Sequence, residues 1–147
     1  MKQDTWNLIH CDFLKYPETR ARPVLPEEFE EAFAFIPFVI DSDYREFVLR
    51  HGGGDVGSYP VYGLRLARSM GQFRGARTAP ELTRAFRGDG WPHVANWLVF
   101  SFDSSGLPIG FRPEGDVALA DRHAGEAIWV ADNFEHFLRR YCFQIDG

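Results

Sequence analysis

Five histidines, His10, His51, His93, His123 and His136, are the residues with the widest chemical range in this chain of 147 residues. Imidazole titrates near neutrality and binds metal ions. No two of them stand at HxxH or HxxxH spacing, and HExxH is absent, so no helical metal pair can be drawn. Asp121-Arg122-His123 is the one acid-histidine neighbourhood of catalytic appearance, and a turn between strands accounts for it equally well. His51 reads as a polar residue at a helix C-terminus and His136 as one on the outer side of the last helix. An enzyme built on either His51 or His123 would show a deep polar pocket and a shifted pKa there.

The other constellations stop short. Gly57-Ser58-Tyr59 does not complete a G-x-S-x-G nucleophile elbow. Gly52-Gly53-Gly54-Asp55 lacks the Gly-Lys-Ser/Thr ending of a phosphate loop, and a helix rather than a strand precedes it. Asp103-Ser104-Ser105-Gly106 begins like a calcium loop but has no bidentate glutamate downstream. The many carboxylates, Glu27, Glu30, Glu31, Asp41, Asp43 and Glu46, sit where helix N-termini favour acids. Cys11 and Cys142 supply no zinc ligand set. They could meet if the chain ends lie together, but two free, mostly buried thiols of a cytoplasmic protein are the expectation. These residues predict no catalytic residue, no cofactor and no metal, and a protein that works by binding.

Composition bounds the partner. Apolar residues make up 45% and charged residues 25%, a globular balance, with 14 Phe, 5 Tyr and 4 Trp for core or interface. The net charge is −5, split as −5 over residues 1–60, +4 over 61–92 and −4 over 93–147. An acidic whole argues against nucleic acid. The basic middle (Arg65, Arg68, Arg74, Arg77, Arg84, Arg87) reads as a solvated loop and helix. No run of eighteen apolar residues and no apolar stretch after Met1 exist, so neither a membrane span nor a secretory signal is expected.

The elements that must carry any site follow from periodicity. Residues 1–25 read as irregular, broken by Pro17, Pro23 and Pro26, with one short element near Thr5 to Cys11. Phe29, Ala32, Phe33 and Ile36 mark a helix opened by Pro26 and ended by Pro37. Tyr44, Phe47, Val48 and His51 mark a second, opening at Asp41, Ser42 or Asp43, with capping-box spacing from Asp43 to Glu46, and stopped by the glycines at 52–54. Residues 57–66 read as a strand with Pro60 at an edge or bulge. Thr78 to Glu81 caps a short helix through Leu82 and Phe86. Residues 93–102 give the strongest strand signal, followed by a turn at 103–106 and strands over 108–112, 116–121 and 126–130. A last helix opens at Asp132 or Asn133, with capping-box spacing from Asp132 to Glu135, and buries Phe134, Phe137, Leu138, Tyr141 and Cys142. The expected fold is α+β over a single domain, 1–147. It has a mixed, mostly antiparallel twisted sheet, helices packed on one side, N-terminal helices and a C-terminal closing helix.

Three stretches in this order resemble one family. They are FEEAFAFIPFVIDSDYREFVLRHGGGDVG, WLVFSFDSSGLPIGFRPEGDVALADRHAG and VADNFEHFLRRY. Together they resemble the SUKH superfamily, which includes yeast cell-wall-synthesis regulators and many bacterial immunity proteins, over about residues 25–142. The family's Leu-Pro pair is here Ile36-Pro37 followed by Phe38-Val39-Ile40. Residues 1–24 have no counterpart, and the stretch from Arg65 to Gly90 is individual. Such variable parts are where partner choice is expected.

The resemblance implies an immunity protein that binds a cognate toxin, a nuclease or another polymorphic-toxin domain, inside the producing cell. It implies no cofactor and no catalysis. A non-catalytic interaction or scaffolding domain of the cell-wall-regulator type is the alternative. An inhibitor needs aromatic anchors and charge on a rigid scaffold. The candidate anchors are Tyr59, Tyr62, Trp91, Trp97, Asp103 and Trp129, with Asp41, Asp43 and Asp55 as charge. A basic toxin would be steered by the acidic ends of the chain.

Overall fold

Tyr44 has no solvent exposure, and the fold can be built outward from its ring. In the computed structural model, which describes residues 1–145, that ring meets Phe100, Phe111 and Phe134 at 5.5, 5.3 and 5.4 Å between centroids. Its hydroxyl donates to the Tyr62 carbonyl at 2.6 Å, so the buried polar atom is satisfied. Burial pushes the phenol pKa well above its ordinary value.

The elements around this centre are helices α1 (Gln3–Lys15), α2 (Pro26–Ala32) and α3 (Ser42–His51), then strands β1 (Gly54–Val56) and β2 (Tyr59–Val61). Helix α4 (Ala79–Gly88) precedes strands β3 (Leu98–Phe102), β4 (Pro108–Phe111), β5 (Val117–Leu119) and β6 (Ile128–Ala131). Helix α5 (Phe134–Phe137) closes the order and widens into a π-helical turn, Leu138–Cys142. The fold is α+β. Strands β3-β4-β5-β6 form one sheet in that order and β1-β2 a second, and every pairing is antiparallel. Phe100, Phe111, Phe134 and Phe137 stack sheet against α5, and α4 lies beside β3.

The two edges of the larger sheet differ. At the β3 edge, Thr83 Oγ1 of α4 accepts from the Val99 amide at 2.9 Å, and the Tyr62 amide donates to the Phe100 carbonyl at 2.7 Å. Strand β6 is the other edge, and its residues 128 and 129 are exposed.

Several expectations are corrected. The N-terminal stretch is a helix of 13 residues, not a loop with a short element. Thr5, Trp6, Ile9 and Phe13 bury one helical face, and all three prolines lie downstream of it. Of the single strand expected over 57–66 only Tyr59–Val61 forms, and it pairs in a hairpin with Gly54–Val56, with Val56 opposite Tyr59 and Asp55 opposite Pro60. Only the second half of the predicted strand 93–102 is a strand, Leu98–Phe102; Val94–Asn96 forms a 3-10 turn entered through His93 at φ 74°. Of the openings the sequence allowed, Asp41 caps α3 and Asn133 caps α5, and Tyr141, expected on the buried face, is only half-buried. Cys11 and Cys142 are both free, but only Cys142 is buried.

Residues 1–22 are fastened to the rest at several points. The Ala21 amide donates to the Gly53 carbonyl at 3.1 Å, and Arg20 bridges to Gly54. Thr5 Oγ1 donates to Glu135 at 2.8 Å, and the Met1 amino group donates to Asp43 at 2.7 Å. No described helix is long and apolar enough to cross a membrane.

Candidate partner interface

Ile128 and Trp129 are neighbours on edge strand β6, 48% and 42% exposed. Successive strand side chains point to opposite faces, so exposure of both means that this end of β6 projects past its cover. The C-terminal helical segment runs back beside it. Arg140 lies over the Trp129 ring at 5.3 Å and over Tyr141 at 5.5 Å. Tyr141 meets the Tyr59 ring edge-on at 6.2 Å, and Tyr59 packs edge-on against buried Phe137 at 5.6 Å. On the other side, the His136 ring is 5.7 Å from Trp129 and its Nδ1 accepts from the Asp132 amide at 3.0 Å.

The result is one contiguous ridge, His136–Trp129–Arg140–Tyr141–Tyr59, drawn from β6, the closing helix and the β1-β2 hairpin. Within the π-helical turn Tyr141 stacks on Phe137 at 6.0 Å and lies half-buried beside Arg140. Trp, Tyr and Arg are the residue types that dominate binding energy at protein interfaces. Beyond Tyr59 the surface dips into a cleft of about 320 Å³ that Asp103 also lines. One Asp103 oxygen is engaged by the Ser105 and Leu107 amides at 3.0 and 2.9 Å, which fixes the turn. Burial raises the Tyr59 phenol pKa, so this hydroxyl stays neutral.

The structure thus brings together three of the candidate anchors, Tyr59, Asp103 and Trp129. It removes two others. Tyr62 is 1% exposed with its hydroxyl donating to the Gly71 carbonyl, and Trp97 is 2% exposed in the core, so neither presents a surface to a partner. Trp91 is half-buried and pinned, its Nε1 donating to the Ala120 carbonyl at 2.9 Å between Arg74 and Arg122. Asp41 and Asp43 are engaged inside the fold, with three backbone amides and the Met1 amino group. Replacing both with Lys would therefore disturb folding as well as any steering. Asp55 accepts from the Ser69 hydroxyl. Arg140, Tyr141 and His136 are the ridge members that sequence reading missed as anchors. Their only signal was adjacency to Trp129 or to the last helical turns, and the contact is made across the strand-to-helix corner.

The basic middle is largely engaged with the protein itself. Arg65 pairs with Glu28 at 2.6 Å, Arg74 pairs with Asp89, Arg84 lies on Phe35 at 4.2 Å, and Arg87 donates to the Trp97 carbonyl at 2.7 Å. Asp121 accepts from the His123 backbone amide at 2.9 Å, which is a turn contact. His51 is buried with its Nδ1 accepting from Arg20 Nε at 2.9 Å; burial first, then the positive charge of Arg20, Arg50 and His10, lowers its pKa to about 4. Among the described residues no three His, Cys, Asp or Glu side chains come together as metal ligands.

A model of the SMI1 / KNR4 family (SUKH-1) matches residues 23–140, well over half of the chain. No curated protein matches it.

Proposed function

The chain belongs to the SMI1 / KNR4 family (SUKH-1), and from that premise we propose that it is an immunity protein acting inside the producing cell. It binds a cognate toxin directly and neutralises it by occupying the toxin's surface, with no chemistry of its own. The observation that carries this reading is the ridge on β6 and the closing helix. Trp129 and Arg140 stand at an open sheet edge, backed by the rigid Phe100–Phe137 core. Anchors held on regular elements lose little side-chain freedom on binding. The negative ends of the sequence, −5 and −4, favour encounter with a basic toxin.

The test is rescue. Candidate toxin domains encoded by neighbouring genes are expressed in a bacterium with and without this protein. Survival restored together with a co-purifying complex supports immunity. Killing that the protein does not relieve for any such domain counts against it and favours a scaffolding role for the same ridge.

A further inference from the structure

A second surface is built from residues 1–22, outside the family match, where they meet the end of α3. His10, Phe13 and Leu14 lie on one face of α1 and, with Pro17 of the turn that follows, Arg20 and His51, line a cleft of about 470 Å³. Phe13 is anchored in the core, its ring 5.0 Å from that of His51, while Leu14 stands 69% exposed at the mouth. Arg20 is held in place by two bonds, Nε to His51 Nδ1 and Nη2 to the Arg50 carbonyl, each 2.9 Å. Among the described residues nothing else engages Nη1 or the second Nη2 hydrogen, and the position is exposed.

No carboxylate among the described residues lines this cleft. The groups that depress the His51 pKa to about 4 electrostatically are Arg20, Arg50 and His10, and burial acts in the same direction. His51 is therefore neutral. Because its Nδ1 already accepts from Arg20, its proton resides on Nε2, a fixed donor. An apolar wall, a guanidinium with spare donors and a neutral imidazole N–H are the complement of an acid on an apolar body.

We propose that the cleft between α1 and His51 binds a carboxylate carried on an aromatic or aliphatic group, with Arg20 taking the carboxylate and Phe13 and Leu14 the apolar body. This site is separate from the Trp129 ridge, and its test does not involve a toxin. The ¹⁵N-labelled full chain is titrated with 4-phenylbutyrate, 4-phenylbutanol and 4-phenylbutylamine, following backbone amides by NMR. The expected result is saturable shifts at residues 10–21 and 51–54 for the acid, with affinity at least about tenfold above that of the alcohol or amine. R20Q and L14E, both at exposed positions, should each weaken the acid by about tenfold or more while leaving the rest of the spectrum unchanged. Equal binding of the alcohol or amine, full binding to R20Q, or shifts confined to other surfaces would overturn the proposal. Gly-Gly-Phe with a free carboxylate, set against its C-terminal amide, then distinguishes sources. Displacement of phenylbutyrate by the free peptide alone identifies a chain end as the ligand, and retention of phenylbutyrate against both identifies a free organic acid.

Discussion

Asp41 and Phe134, 93 residues apart, are joined by a hydrogen bond from the Phe134 amide to Asp41 Oδ2 at 3.0 Å. The other oxygen of the same carboxylate accepts from the Asp43 and Tyr44 amides at 2.8 and 3.1 Å. One side chain thus serves the N-termini of both α3 and α5, whose rings Tyr44 and Phe134 meet 5.4 Å apart. Both helix starts concentrate positive charge from unpaired amides, so an ionised acceptor is favoured there. D41A should cost about 2–4 kcal/mol, adding a lost cap to a lost charged hydrogen bond. D41N keeps one acceptor but turns an amide donor toward the other helix, and should recover only part. Urea denaturation of the three proteins measures this; a loss below about 0.5 kcal/mol for D41A would show that the shared cap is dispensable.

His51 predicts a pH dependence. Its folded pKa, about 4, lies below the ordinary value of 6.5, so the unfolded chain takes up a proton that the native state refuses. Stability is then full above about pH 6.5, falls as pH drops toward 4 and levels off below, with His51 contributing at most about 3 kcal/mol to the change. H51Q keeps an acceptor for Arg20 but does not titrate. The difference in unfolding free energy between wild type and H51Q, followed from pH 7 to pH 4, should narrow across that window. A constant difference would contradict the buried neutral imidazole.

The sequence showed most clearly what local periodicity controls. The 44–51 spacing, the glycine stop, the turn at 103–106 and the order of the last three strands all reappear, while the helix expected over 29–36 ends at Ala32 and only its buried Phe33 and Ile36 continue the face. Contacts between distant segments were invisible to it. Asp41 and Asp43 both stand at the start of α3, and only the approach of Met1 and Phe134 decides that Asp41 caps while Asp43 pairs with an ammonium. The aromatic residues were equally ambiguous one by one. Trp97 and Trp129 are the same residue type in strand-like surroundings, but Trp97 precedes the covered strand β3 and Trp129 sits on the open edge. The His51 cleft was hidden because its other wall is α1, which the prolines at 17, 23 and 26 disguised as loop.

Gly52 tests the junction between α3 and the N-terminal segment. It ends α3 with φ 79°, a conformation that costs other residues about 1 kcal/mol, and its missing side chain makes room for the Arg22 carbonyl. G52A should therefore lose more than the conformational term alone, about 2–4 kcal/mol, because the added methyl meets backbone and not a yielding side chain. Hydrogen exchange should show protection falling first at the Ala21 and Val24 amides, which bond to Gly53 and Leu49. Uniform loss of protection across the sheet instead would mean that the junction opens only with global unfolding.

Trp129 and Trp97 give opposite predictions from one substitution. W97A removes a side chain that is 2% exposed and should destabilise by about 3–5 kcal/mol. W129A removes one that is 42% exposed and supported mainly by Arg140 and His136, and should leave stability within about 0.5 kcal/mol. Toward the partner the order reverses in meaning. Folded W129A should bind at least about 30-fold more weakly, equivalent to about 2 kcal/mol, because Trp at an interface centre carries a disproportionate share of the energy. R140A should act in the same direction and, being in contact with Trp129, should give less than the summed loss when combined with it. Calorimetry of the complex together with thermal denaturation of each variant separates the two effects. A stable W129A that binds with undiminished affinity would move the interface away from the β6 edge.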